Sequence, residues 1–362
     1  MTYRAHNFGA GPAALPLPVL ERVQSELLDF QGSGMSILEV SHRGAHYDRV
    51  HQQTLADLRT LLVLGDDHDI LFMGGGACLQ FSLVPMNLLA AGQRADYLIT
   101  GSWSQQALAE ASKVGTTRAL WSSAESGFDR VPGPGDYQPD PEAAYLHYTS
   151  NNTIAGTQYP RPPEAGTVPL VCDMSSDILS RPMDFAAFGL IYAGAQKNLG
   201  PAGVTLVVIR RDLLQRSPAN LGKLLSYAQV AAKSSLLNTP PVFAVYVVGL
   251  VARHLLDTGG LEAAAERNER KARLLYDVLD ASGGFFRGHA QAKSRSLMNV
   301  TFRLPTPELE ARFVQEATTQ GLVGLKGHRS VGGLRASIYN AVSLESVQVL
   351  ADFMKDFQRR VG

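Results

Sequence analysis

Two side chains stand where chemistry would need them. Asp173 directly follows the apolar run Pro169-Leu170-Val171-Cys172. A carboxylate at the end of a buried strand is costly unless a cation or hydrogen-bond donors compensate it. Lys197 comes twenty-four residues later, just past the apolar segment Leu190-Ile191-Tyr192-Ala193, in Gly194-Ala195-Gln196-Lys197-Asn198. One strand-helix-strand step would place both at the ends of strands in one sheet. From these residues alone two readings stand side by side. One is a structural ion pair, or a solvated lysine beside a buried carboxylate. The other is a pyridoxal phosphate site, in which a lysine carries the cofactor as a Schiff base and an aspartate pairs with its pyridinium nitrogen.

The second reading makes further demands. A pyridine ring needs a flat face, and Trp103, one of two tryptophans, follows Thr100-Gly101-Ser102. Its phosphate needs converging backbone N–H groups, and Gly74-Gly75-Gly76-Ala77-Cys78 ends one apolar run where a helix over Leu79 to Leu89 begins. Its phenolate oxygen needs a donor, and Thr153 closes the polar run Thr149-Ser150-Asn151-Asn152-Thr153 after Tyr145-Leu146-His147-Tyr148. Each feature has an ordinary alternative, a core tryptophan or a glycine turn, but together they fall at successive strand ends. Two His-Arg pairs, His42-Arg43 and His328-Arg329, sit among Gly and Ser in turn-like contexts. They are either solvated surface or an anion clamp of guanidinium forks and imidazole donors. Arg335, at the edge of a predicted strand, offers a separate carboxylate fork. Rival phosphate motifs fail. Gly222-Lys223 is followed by Leu224, with Ser217 where a Walker A loop has its first glycine, and no Gly-x-Gly-x-x-Gly follows a strand.

The elements that would position these residues alternate along the chain. Val19 to Phe30 and Val50 to Leu64 have helical spacing, and short apolar runs lie at 70–73, 97–99, 169–172 and 204–209. Strands alternating with helices predict a parallel sheet covered on both faces, with its chemistry outside the carboxyl ends of the strands. The turn Leu64-Gly65-Asp66-Asp67-His68 reads as surface. After Asn238-Thr239-Pro240-Pro241 the texture changes to an apolar stretch over 242–256, an amphipathic helix over 261–279 and a compact αβ unit. The division is expected at 257–260, giving a large domain over 16–257 and a small C-terminal domain over 258–362, with segment 1–15 packed near the latter.

Composition narrows the partners. With 33 basic and 33 acidic side chains in 362 residues, the formal charge is zero, which argues against a protein living on nucleic-acid phosphates. Two cysteines, Cys78 and Cys172, cannot form a disulfide framework and suit a reducing compartment. No apolar leader and no run of eighteen apolar residues is seen, so the expectation is a cytoplasmic enzyme without a membrane span. No metal-ligand spacing stands out.

From end to end the chain resembles the phosphoserine aminotransferases, a family of fold-type I pyridoxal phosphate enzymes. The resemblance is carried by Asn7-Phe8-Gly9-Ala10-Gly11-Pro12-Ala13, Ser41-His42-Arg43, Gly75-Gly76-Ala77, Thr100-Gly101-Ser102-Trp103 and His147 to Ile154. It continues through Cys172 to Asp177, Gly194 to Asn198, Asn238 to Pro241, Gly327-His328-Arg329 and Gly333 to Ser337. It implies an α/β fold whose large domain has a mostly parallel sheet flanked by helices. It also implies transamination between L-glutamate and 3-phosphohydroxypyruvate, giving 2-oxoglutarate and O-phosphoserine, with a related phosphorylated substrate on the route to vitamin B6.

The same resemblance implies roles. Lys197 would hold the cofactor covalently, Asp173 its ring nitrogen, Thr153 its phenolate oxygen and Trp103 its face. The backbone amides of Ala77 and Cys78, with Gln196, would hold its phosphate, joined by Asn238 and Thr239 from the partner of a homodimer with active sites at the subunit interface. His42, Arg43, His328 and Arg329 would read the substrate phosphate or the glutamate side-chain carboxylate, and Arg335 the α-carboxylate. Other enzymes of the fold type fit less well. A cysteine desulfurase needs a cysteine on a C-terminal loop and none follows Cys172, and glyoxylate aminotransferases have no use for two His-Arg pairs near a phosphate. A scaffold that kept the fold without chemistry would not need Asp173 and Lys197.

Overall fold

The computed structural model describes residues 4–362. Its centre is a seven-stranded sheet in the order His68–Met73, Thr205–Arg210, Leu190–Gly194, Leu170–Asp173, Leu146–Thr149, Arg94–Ile99, Thr116–Ser122. Side chains alternate across a strand, and both faces of this sheet are covered. Ile70, Phe72, Tyr148, Cys172 and Ile191 pack into one apolar cluster with the helices Ala45–Leu62 and Val242–Asp257. Leu71, Met73, Tyr97, Val171 and Tyr192 point the other way, against the helices Gly76–Leu88 and Ser102–Ala111. Double coverage explains why these strands read as continuous apolar runs.

One strand departs from the parallel expectation. Thr205–Arg210 runs antiparallel to both of its neighbours. A parallel return needs a crossover of a dozen or more residues, usually a helix. Only residues 195–204 separate this strand from Leu190–Gly194, and they form the loop that carries Lys197. The edge strand Thr116–Ser122, half-exposed and interrupted by a bulge against Tyr97 and Leu98, has only the short run Ala119-Leu120-Trp121 to announce it. His68 differs from its surface reading: it is buried at the start of its strand, with Nε2 3.0 Å from the Phe188 carbonyl. The helix at the glycine run starts at Gly76, three residues before the apolar pattern does, and the first long helix ends at Glu26 rather than Phe30.

A second apolar cluster gathers the C-terminal strands Asn299–Arg303 and Leu334–Ser337 with the helices Pro307–Thr319 and Leu344–Val361. Phe8 belongs to it, and the short strand His6–Asn7 pairs with Leu322–Val323. The helix Gly260–Ala281 spans both clusters, with Leu261 in the first and Leu275 in the second. Among the described residues no single helix is long and apolar enough to cross a membrane, and no cluster of side chains could hold a metal ion.

Lys271, on the inner face of that helix, is almost wholly buried. Its ammonium donates to the carbonyls of Ile338, Tyr339 and Val342 at 2.9, 2.7 and 3.1 Å. Three acceptors match its three protons. Burial draws its pKa down to about 7, and the carbonyl dipoles take the place of water around the charged form. Lys271→Met removes the donor from all three carbonyls; that of Tyr339 keeps the Val342 N–H at 2.9 Å, while those of Ile338 and Val342 lose the ammonium, each worth about 1 kcal/mol or more. Denaturant unfolding is expected to show a loss of roughly 2 kcal/mol.

Candidate active site

The site lies at the carboxyl edge of the sheet, where the strand order switches. From Arg94–Ile99 the chain goes outward to the edge strand and then returns to the other side of Arg94–Ile99, so the turns after Ile99 and Thr149 are neighbours. Asp173 ends its strand in register with Tyr192 and is buried. Its Oδ1 accepts from the Ser175 N–H at 3.0 Å and the Ser175 hydroxyl at 2.7 Å. Ser175 in turn accepts from the Gly194 N–H at 3.0 Å, tying Asp173 to the strand that leads into the lysine loop. Burial raises the Asp173 pKa, opposed by the positive charge of Lys197 and the Ser175 hydrogen bonds.

Lys197 and Asp173 do not form a direct ion pair. The Lys197 Nζ donates instead to the Thr153 hydroxyl at 2.7 Å and lies 5.7 Å from the centre of the Trp103 ring. Burial lowers the pKa of the amine, Asp173 works against that, and Arg335 adds to it. The structural ion-pair reading therefore loses its contact, while the two charges still face one another across a gap. Thr153 is shared: its hydroxyl takes Lys197 and its carbonyl takes the Arg335 guanidinium at 3.2 Å. Arg335 thus reaches from the C-terminal strands to the lysine, with its Nε buried and unpaired.

Trp103 occupies the first turn of the helix Ser102–Ala111, and its Nε1 is buried without a partner. The turn before it is held by Ser104, whose hydroxyl accepts from the N–H groups of Thr100 and Gly101 at 3.0 and 3.2 Å. Asn152 fixes the same turn by donating to the Thr100 hydroxyl at 2.9 Å. The helix Gly76–Leu88 is preceded by Gly75, with φ of 84°, and has no side-chain cap, so nothing of its own occupies the space before Ala77 and Cys78. A Cβ built on Gly74 or Gly76 meets nothing within 4 Å. Cys78 is close enough to Asp173 and Lys197 to feel both charges, and burial raises its thiol pKa. Gln196 precedes Lys197 in the same loop, its carbonyl accepting from the Ala13 N–H at 2.9 Å.

These residues fit pyridoxal phosphate: an open helix N-terminus for its phosphate, a carboxylate, an indole and an amine around the space for its ring. Lys197, Asp173, Thr153, Trp103, Cys78 and Arg335 are brought together within one chain. His328 neighbours Arg335, whose charge helps lower its pKa after burial, and both line a cavity of about 290 Å³. Arg43 and Arg329 are exposed and make no side-chain ion pair among the described residues. His42 and Thr239 line a different cavity, and the exposed Asn238 lies beside Thr239. Ser175, Asn152 and Ser104 act through other residues and carry no sequence signal beyond their place next to a strand end.

The family model for aminotransferase class-V matches residues 5–350. The phosphoserine aminotransferase of Desulfatibacillum aliphaticivorans is 57% identical over the whole of both chains. Among solved structures, phosphoserine aminotransferase from Bacillus circulans subsp. alkalophilus is 53% identical with a TM-score of 0.98, covering both chains fully. The pyridoxal phosphate-bound phosphoserine aminotransferase from Trichomonas vaginalis is 38% identical with a TM-score of 0.91, over 97% of this chain and 100% of its own.

A Cβ at Gly101 would fall 2.3 Å from the Asn152 Oδ1, so Gly101→Ala must displace Asn152 or the turn that carries Trp103. The expected result is cofactor retention weakened about tenfold or more, which corresponds to roughly 1.4 kcal/mol. Reconstituting the apoprotein with increasing pyridoxal phosphate measures it, and wild-type affinity would show that the turn is not set by this contact.

Proposed function

The chain belongs to the class-V aminotransferase family, and we infer that it transfers the amino group of L-glutamate to 3-phosphohydroxypyruvate, giving O-phosphoserine and 2-oxoglutarate. The reaction is a reversible, pyridoxal phosphate-dependent transamination that serves serine biosynthesis. What carries this reading is the enclosed Lys197 amine facing Asp173, Thr153 and Arg335, in a chain that matches phosphoserine aminotransferases along its whole length.

When bound, the cofactor supplies an electrophilic carbon for the amine and a ring that takes up the electron pair freed at the substrate Cα. Asp173 keeps negative charge at the ring position through the Ser175 hydrogen bonds that hold its carboxylate. Lys197 is the base. Burial disfavours its protonated form, which suits Nζ to take the Cα proton and hold it for return. Thr153 keeps that nitrogen at the cleft floor, and Trp103 closes one face against water. Arg335, anchored on the Thr153 carbonyl, takes the α-carboxylate shared by both amino acids. The backbone of Ala77 and Cys78, with Gln196, receives the cofactor phosphate.

His42, Arg43, His328 and Arg329 complete the site by reading the phosphate of phosphoserine or the distal carboxylate of glutamate. This needs two copies of the chain in a homodimer, with Asn238 and Thr239 reaching the cofactor phosphate of the other copy. Two features support it: the exposure of Asn238 and Thr239, and the exposed apolar Leu38, Leu79 and Leu224 lining the cavities that Thr239 shares with its surroundings. The division into a large unit over 16–257 and a small unit over 258–362, with the N-terminal segment on the latter, and a cytoplasmic location belong to the same reading. The partners are these small molecules; neither nucleic acid nor membrane enters it.

Purified protein is expected to transfer the amino group of O-phosphoserine to 2-oxoglutarate far faster than that of serine, and comparable rates for the two would overturn the assignment. Lys197→Ala should abolish turnover. Arg43→Ala or Arg329→Ala should raise KM for O-phosphoserine by ten- to a hundredfold, from the loss of a charge-assisted hydrogen bond of roughly 1.5 to 3 kcal/mol. KM for a substrate without a distal anion should stay put.

A further inference from the structure

Thr153 stands at the tip of a hairpin, in which Asn151–Asn152 runs out and Thr157–Gln158 returns antiparallel to it. The turn of a hairpin is its least constrained part, yet this one has to present a hydroxyl to a single amine, the Lys197 Nζ at 2.7 Å. The return arm is tied to the segment just before the C-terminal strand Asn299–Arg303. There the Ser296 N–H donates to the Gly156 carbonyl at 3.0 Å and the Leu297 N–H to the Gln158 side chain at 2.8 Å. These bonds fix where the hairpin ends, and they leave its tip to be held by something else.

Among the described residues two side chains bond to the backbone of the tip, and both come from the C-terminal strands. Arg335 donates to the Thr153 carbonyl at 3.2 Å, and the Thr301 hydroxyl donates to the Ala155 carbonyl at 2.7 Å. Thr301 and Arg335 lie directly opposite one another where Asn299–Arg303 pairs antiparallel with Leu334–Ser337, so their side chains leave the sheet on the same face. Both line the cavity that Ile154, Ala155 and His328 share. The two holds are not equivalent. An arginine that takes a substrate carboxylate must be free to turn toward it, and its bond to Thr153 competes with that task. Thr301 is buried, makes the shorter bond and has no part in the mechanism above. The turn is also shaped to admit it. Gly156 has a φ of 75°, and a Cβ there would fall against the Thr301 hydroxyl and 2.8 Å from the Asn299 carbonyl oxygen.

We propose that Thr301 is a positioning residue: its hydroxyl, set on the Ala155 carbonyl, holds the hairpin tip so that the Thr153 hydroxyl keeps its place beside Lys197 and the cofactor's phenolate oxygen while Arg335 is engaged with substrate. Without that donor the Ala155 carbonyl is buried and unpaired, and the tip moves to satisfy it. The inference rests on reading Thr153 as the donor to the phenolate oxygen, and its test separates the two.

Five variants of the holoenzyme are compared with the wild type. Thr301→Val keeps the shape and loses the donor, Thr301→Ala repeats the loss with a smaller side chain, and Thr301→Ser restores the hydroxyl. Thr153→Val removes the positioned group itself. Tyr276→Phe removes another hydroxyl bond to a backbone carbonyl in the C-terminal unit, that of Tyr276 to Ser296 at 2.9 Å. The measurements are the absorbance of the lysine-bound cofactor titrated with pH, and the Kd for pyridoxal phosphate on reconstituting the apoprotein. Asp173, Arg335, Asp177 and Cys78 are the charged or titratable groups that act on Lys197, and every variant leaves all four in place. An oxygen that loses a donor becomes more basic, so Thr153→Val, Thr301→Val and Thr301→Ala are expected to raise the midpoint by about half a unit or more. The Kd should rise roughly three- to tenfold in the same three. Thr301→Ser and Tyr276→Phe should stay at wild-type values. If Thr153→Val shifts the midpoint and neither Thr301→Val nor Thr301→Ala does, the role of Thr301 is overturned and that of Thr153 stands. If Thr153→Val leaves it unmoved, both readings fall. A shift of equal size in Tyr276→Phe, or no recovery in Thr301→Ser, would show general loosening of the C-terminal unit and would also overturn the proposal.

Discussion

A lysine amine has to sit beside, but not on, an aspartate at the ends of two neighbouring strands, and most of the architecture follows from that constraint. Left to themselves, a buried cation and a buried anion close into a pair, since separation in a low-dielectric site is expensive. Here each is held back by its own hydrogen bonds. Ser175 takes one oxygen of Asp173, and Thr153 takes the amine of Lys197. The gap is thus a property of two hydroxyl groups, and it is the gap that makes room for a ring. The pKa directions follow from the same arrangement: burial raises the acid and lowers the base, while each charge partly stabilises the other.

The sheet serves this constraint by bringing loops to one edge. Six strands point their carboxyl ends the same way, and the seventh, Thr205–Arg210, runs back because the lysine loop is too short for a crossover helix. That departure from a parallel sheet is tied to function at one point: residues 195–204 must form a tight loop, and Ala195, Leu199 and Val204 bury it against the core. A helix there would have carried Lys197 over the face of the sheet and away from Asp173.

What the sequence made legible follows the same physics. Strands buried on both faces read as apolar runs, and a charge immediately after such a run is conspicuous because burial makes it costly; that is why Asp173 and Lys197 could be picked out. Gly74 to Gly76 and Trp103 were visible for lesser reasons, a cluster of small residues and a scarce aromatic. Asn152, Ser175 and Tyr339 were not. Asn and Ser beside a turn occur in any loop, and a tyrosine after a strand is ordinary core; their roles come from what lies against them in space, up to 329 residues away in the case of Tyr339 and Ala10. The two-residue strand His6–Asn7 escaped for a related reason, being too short to have a period of its own.

Distance along the chain also bears on how the site is kept in one state. The contacts around Asn151, Asn299 and Tyr339 are polar and almost completely buried, and they join the N-terminal loop, the large sheet and the C-terminal strands. An apolar interface of the same extent could slide, because apolar contacts carry little directional preference. A connected set of hydrogen bonds cannot shift by an ångström without leaving buried groups unpaired, at a cost of about 1 to 3 kcal/mol for each. An arginine that must recognise a carboxylate by a bidentate fork depends on angle as much as on distance. The polar seam therefore stands where Arg335 reaches from the C-terminal strands to the Thr153 carbonyl, and apolar packing serves where no direction has to be kept.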